Sequence, residues 1–135
     1  RSRNSLAVPS SNRARMSCSL ESCASAGQCA APNSSAFNSC GKKLYFAQDT
    51  GLFGDMELIG EEGLEVAVIP IGDNYTMGPE DALRAVKLLT PRIVIPIHYN
   101  TWDLIAQDAH AWAKRVEQET KTKAVVLKPG ESYAI

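Results

Sequence analysis

Pro91-Arg92-Ile93-Val94-Ile95-Pro96-Ile97-His98-Tyr99-Asn100-Thr101 is an apolar run that ends at a histidine inside a polar loop. With so little polar relief, it reads as a strand buried on both faces, as in a parallel or mixed sheet covered by helices. An imidazole at the end of such a strand is a common transition-metal ligand and a common general base. A lone histidine there is more often structural, so its meaning depends on what converges with it.

Upstream, Val66-Ala67-Val68-Ile69-Pro70-Ile71 repeats the pattern, proline included, and empties into Gly72-Asp73-Asn74-Tyr75. Leu44-Tyr45-Phe46-Ala47 is a shorter strand, opened by Lys42 and Lys43 and closed by Gln48-Asp49-Thr50-Gly51. Between these strands, Leu52 to Ile59 has the length of one or two helical turns, with Gly60 as the stop. Gly78-Pro79-Glu80-Asp81 starts a helix, because proline suits the first turn and acids favour the positive end of the helix dipole. Ala82, Val86 and Leu89 share its buried face, and Thr90-Pro91 ends it. After His98, Asn100-Thr101 is a cap for another helix, on which Ile105, Ala109, Trp112, Ala113 and Val116 form an apolar stripe. Lys123 to Leu127 is the last strand. Such alternation of strand and helix predicts an α/β layer structure. Right-handed crossovers would set the strands side by side and parallel, bringing Asp49, Asp73-Asn74 and His98 to the sheet edge where open α/β sheets bind ligands.

The 135 residues, 44% hydrophobic and 21% charged, are enough for one ordinary domain with one core. A net charge of -1 argues against nucleic acid or a membrane surface as partner. No apolar run approaches the ~18 residues of a spanning helix or resembles a secretory signal, which makes the cytoplasm the expected location. Residues 1–40 are rich in Ser, Ala and Asn and show neither strand nor helix period. They are expected to be disordered or foreign to the fold, with the domain running from 41 to 135. Cys18, Cys23, Cys29 and Cys40 all fall in that segment without a C-x-x-C pair, a poor zinc signature.

A carboxylate and an imidazole at neighbouring strand ends suit a divalent metal, zinc or manganese, or shared acid–base work. A metal is favoured, since it lowers the pKa of bound water from about 15.7 toward 7 and so yields a hydroxide nucleophile. A catalytic zinc takes about three protein ligands. Only His98 and His110 are available as histidines, and His110 lies within the last helix without a partner at i+4, as a surface or packing residue does. Asp73 is either a third ligand or a turn residue bonding its own backbone. Asp73, Asn74 and Asn100 are the candidates for contact with a small-molecule substrate. Trp102 and Trp112 are expected in the core.

Taken together, 45–53 (Tyr-Phe-Ala-Gln-Asp-Thr-Gly-Leu-Phe), 70–79 (Pro-Ile-Gly-Asp-Asn-Tyr-Thr-Met-Gly-Pro) and 96–101 (Pro-Ile-His-Tyr-Asn-Thr) resemble the metallo-β-lactamase superfamily. Its branch of metal-dependent hydrolases similar to L-ascorbate-6-phosphate lactonase is nearest. The resemblance implies an αββα sandwich, of which this chain carries the carboxy-terminal half. It also implies two metal ions in the complete fold, with Asp49 bridging them and His98 completing the second ion's ligands. The family's His-x-His-x-Asp-His motif has no counterpart here, and Gln48 stands where the family usually has glycine. The implied function is a metal-dependent hydrolase, incomplete in this chain. The competing reading is a non-catalytic fragment or binding module that exposes an apolar face and pairs with a second copy. An aspartic-protease reading of Leu44 to Gly51 conflicts with the helices that follow, because those enzymes are all-β.

Overall fold

The computed structural model describes residues 5–7, 15–17, 29–31, 34–39 and 41–135. In chain order the elements are β1 (Ser5–Ala7), β2 (Arg15–Ser17), β3 (Cys29–Ala31), β4 (Ser34–Ser39), β5 (Lys42–Phe46), α1 (Met56–Glu61) and β6 (Val66–Pro70). They continue with α2 (Pro79–Leu89), β7 (Ile93–Ile97), a 3-10 turn (Asp103–Ile105), α3 (Ala109–Glu119), β8 (Lys123–Ala124) and β9 (Ser132–Ala134). Among the described residues the larger sheet has the order β3-β4-β5-β6-β7-β8. Its members from β5 to β8 are parallel, as the strand–helix alternation predicts, while β3 and β4 are antiparallel additions. A smaller antiparallel sheet joins β2, β1 and β9.

Residues 1–40 were expected to lack regular structure, and their described parts are the strands β1 to β4. The remainder, including Cys18, Cys23 and Cys40, lies outside the described residues. At the seam, Ser39 pairs with Lys42 and Ser35 with Phe46. Gly41, at φ 77, provides the left-handed residue a tight hairpin needs. Ser and Asn have little strand preference of their own, so β4 owes its form to pairing with β5 and not to its pattern.

Side chains alternate across a strand, and here both resulting sets are apolar. Tyr45, Ala47, Ala67, Ile69 and Val94 face a core completed by Met56 of α1, Ala82, Leu83, Ala85, Val86 and Leu89 of α2, and Ala109, Trp112 and Val116 of α3. Leu44, Val66, Val68 and Ile95 form a second cluster with Leu127, against which Tyr133 and Ile135 pack. Full burial of each Val- or Leu-sized side chain stabilises by about 1.5–3 kcal/mol. The sheet is thus held from both sides, by a helical layer on one and by the chain's last residues on the other.

Pro79 opens α2 with Glu80 and Asp81 in its first turn, and Thr90 closes it in the left-handed region at φ 42. The Trp112 indole N–H donates to Pro79 O at 2.9 Å, fixing α3 to the start of α2. Several boundaries differ from those expected: the strand expected to run from Lys123 to Leu127 as the last one ends at Ala124, where its pairing with β7 stops, and β9 follows it. Gly60 is inside α1, which ends at Glu61. A Cβ at Gly60 would lie 2.4 Å from Leu88 O and 2.9 Å from Leu89 O, so glycine there permits close approach of α1 to the end of α2. Helix α3 begins only at Ala109, because Asp108 and not Asn100 caps it, accepting from the Ala111 N–H at 2.9 Å. Ile105 precedes the helix and is buried. Trp102 is a correction to its expected core placement: it sits in the loop before α3 and is 54% exposed. His110 is exposed. No helix among the described residues is long and apolar enough to cross a membrane.

On the outer face, Arg115 of α3 binds Glu80 of α2 and approaches Glu119, which in turn pairs with Lys87. The hydrogen bond from Arg115 holds the Glu80 carboxyl below the ordinary glutamate range. A depressed carboxylate stabilises the fold fully above its unfolded value of about 4.3, and that contribution is lost as pH falls through the lower folded value. Glu80→Gln is therefore expected to lower the Tm at pH 7 by no more than about 4 °C, since the pair is exposed. In thermal melts the difference from wild type should shrink steadily as the pH is lowered below about 4; a difference that does not change with pH would assign the effect to packing.

Candidate functional site

Parallel pairing continues past the ends of the strands: Ala47 N–H donates to Val68 O at 2.9 Å and Ile71 N–H to Ile97 O at 3.1 Å. All three strand ends then turn through left-handed backbone at residues other than glycine. These are Gln48 (φ 57), Asp73 (φ 66), Asn74 (φ 55), His98 (φ 55) and Asn100 (φ 56). Each such residue costs about 1 kcal/mol or more, and clusters of them persist only where neighbouring structure holds them. At Gln48 that is the conformation a glycine adopts most easily.

Hydrogen bonds between the loops provide the restraint. Met77 N–H donates to Thr50 O at 3.0 Å, joining the loops after β5 and β6. The Asn74 amide donates to Leu104 O at 2.8 Å, joining those after β6 and β7. Asn100 closes its own loop by accepting from the Gln107 N–H at 2.7 Å and donating to Gln107 O at 3.0 Å. The Asp73 carboxylate accepts from the Asn74 N–H at 2.9 Å and lies against Gly78, where a Cβ would be 3.1 Å from Cγ. Asp73, Asn74 and Asn100 thus each have a side chain engaged in holding a loop. Gly72 has a different task, since a Cβ there would stand 2.1 Å from His98 O. The β6 loop lies directly against the histidine's backbone.

The outcome is that His98 Nε2 stands 3.9 Å from Asp49 Oδ1, with side chains 26% and 71% exposed. This is beyond hydrogen-bond range. Two ligand atoms each about 2.0–2.2 Å from one tetrahedral ion are about 3.4 Å apart, so the exposed Asp49 carboxylate closes in by about 0.5 Å for both to reach the same ion. His98 Nδ1 is buried and has no hydrogen-bond partner among the described residues. Asp73 and His110 do not join them: among the described residues no group of three or more His, Cys, Asp or Glu side chains is placed to hold a metal ion. Beside His98, burial pushes the Tyr99 hydroxyl above its ordinary pKa and keeps it neutral.

Residues 36–98 match the family model of the beta-lactamase superfamily domain, a span that contains Asp49 and ends at His98. These residues carry the pattern of the metallo-β-lactamase superfamily. The chain is 60% identical over 95 residues to a UPF0173 metal-dependent hydrolase of Desulforamulus reducens, covering 70% of the chain and 42% of that relative. A UPF0173 metal-dependent hydrolase of Thermus thermophilus is 57% identical over 91 residues, covering 67% of the chain and 40% of the relative. Among solved structures, a metallo hydrolase of the archaeon Ignicoccus hospitalis superposes with a TM-score of 0.73 at 42% identity, over 78% of this chain and 46% of that one. The metallo-β-lactamase fold protein YhfI of Bacillus subtilis superposes with a TM-score of 0.61 at 9% identity, over 81% of this chain and 53% of that one, a likeness of fold alone. The chain therefore spans about two fifths of the length of the curated relatives it matches.

Tyr75 and Leu104 were given no role in the sequence and Trp102 was expected in the core, yet all three are more than half exposed on the loops after β6 and β7. The signal was present for Trp102, which is flanked by Thr101 and Asp103 in a stretch without helical period.

Proposed function

We propose that this chain forms part of a metal-dependent hydrolase in which Asp49 and His98 hold a divalent cation, zinc or manganese. The observation that carries the reading is the 3.9 Å separation of Asp49 Oδ1 and His98 Nε2. Their strands are joined only through β6, which lies between them in the sheet. Once bound, the metal supplies Lewis acidity and brings the pKa of water toward 7. The chain's own residues supply the rest of the arrangement. Asp49 offers an accessible carboxylate, while His98 turns Nε2 toward it and keeps Nδ1 buried. Gly72 and the Asn74 and Asn100 clamps fix the loop from which the imidazole projects, which is the pre-organisation a metal site needs. Further donors, and the second ion of the complete fold, come from outside the described residues. The reaction class is hydrolysis of an ester, lactone, amide or phosphodiester in a small molecule, carried out in the cytoplasm.

A second reading, a binding module without hydrolysis, is favoured by the lack of a third donor among the described residues. Equilibrium dialysis against zinc and manganese, followed by assay with 4-nitrophenyl butyrate, separates the two. The hydrolase reading expects about one metal ion per chain and turnover that EDTA abolishes. Absence of turnover together with obligate pairing on a sizing column supports the binding module, and failure to retain either metal overturns the hydrolase reading.

A further inference from the structure

Among the described residues, the large hydrophobic side chains left exposed are Leu58, Tyr75, Trp102 and Leu104, and three of these lie on the two loops that Asn74 ties together. Those loops also present Asp73 and His98. The charges around them have one sign. Residues 47–55, 71–78 and 98–108 contain Asp49, Asp55, Asp73, Asp103 and Asp108 and no lysine or arginine. A phosphate or carboxylate on a substrate is normally met by Arg or Lys, and away from the cation these loops offer neither. The far side of the 98–108 loop, at Tyr99, Asn100 and Asp108, lines a groove of about 460 Å³ with Lys128, and neither Asp49 nor His98 lines that groove. Small-molecule sites combine apolar and aromatic walls with a few polar groups, which is what these loops offer.

We propose that Tyr75, Trp102 and Leu104 form an apolar shelf beside the Asp49–His98 edge that receives the uncharged acyl or aryl part of a neutral ester or lactone substrate. The substrate class rests on the hydrolase reading, while the shelf itself is measurable without metal. Trp102 is 54% exposed and Trp112 is 3% exposed, so tryptophan emission reports chiefly on the shelf when its environment changes. The probes are N-butylbenzamide, which is neutral, and phenyl phosphate, which is anionic, each titrated with EDTA and again with added zinc. N-butylbenzamide should give a saturable emission change in EDTA, with affinity at least about tenfold above that of phenyl phosphate. Trp102→Phe should abolish the change, and Leu104→Ser, read by calorimetry, should weaken binding about fivefold. Both replaced side chains are exposed, and circular dichroism checks that the variants keep their fold. Equal or tighter binding of phenyl phosphate in EDTA, a change that does not saturate, or unaltered affinity in Leu104→Ser overturns the proposal. Failure of zinc to bind counts against the metal reading alone, and the titration in EDTA still decides whether the shelf exists.

Discussion

Alanine at position 72 should destabilise the domain by about 3 kcal/mol, the upper part of what overpacking a close contact costs. The added methyl has no neutral way out. It meets the carbonyl oxygen of His98 at 2.1 Å and the Cβ of Ile105 at 3.3 Å, one a backbone atom and the other a buried branch point. Relief requires the loops after β6 and β7 to separate, which strains the Asn74 to Leu104 hydrogen bond and moves His98. Gly51→Ala is the control, since a Cβ there meets nothing within 4 Å and the backbone is not left-handed. It should change stability by less than about 1 kcal/mol in either direction. Urea unfolding of both variants decides the matter, and a Gly72→Ala midpoint equal to that of Gly51→Ala would show the two loops to be loosely joined.

The second large effect concerns the cation. A ligand that binds only the folded chain stabilises it by about 2.7 kcal/mol at a hundred times its Kd. Zinc should therefore raise the Tm of the wild-type chain, and His98→Ala should abolish that rise. Affinity should fall by at least about 100-fold, because changes behind a ligand already cost 10–100-fold. Asp49→Asn should weaken binding as well, since it removes the negative charge and leaves a single neutral oxygen donor. Dialysis and melts on the three proteins give independent readings. Zinc stabilisation that survived in His98→Ala would place the ion elsewhere on the chain.

Much of this architecture was legible because β6 and β7 are buried on both faces and so carry unbroken apolar runs, which no solvent-facing alternation obscures. Gly78-Pro79-Glu80-Asp81 was equally plain, because a helix start is set by local chemistry. The gathering of Asp49 and His98 followed from parallel order, and the structure places them 3.9 Å apart. What escaped was decided by contact. β4 is a strand because β5 pairs with it; Gly60 continues a helix because the end of α2 leans on it. Trp102 was expected inside from its bulk, yet Asp108 caps α3 and leaves position 102 in a loop. The left-handed turns at Gln48, Asp73, Asn74, His98 and Asn100 could not be anticipated, since non-glycine residues enter that region only under constraint from their surroundings.

Parallel order also fixes when the site can exist. β5 reaches β7 only by way of β6, so both crossovers, with α1 and α2 in place, must close before positions 49 and 98 meet. Contacts so distant along the chain form late, after most of the loop-closure entropy has been spent. A cation thus finds no prepared seat in the refolding chain and does little to hasten its collapse. Its influence falls on the reverse step, where a bound ion acts as a latch that lengthens the lifetime of the native state.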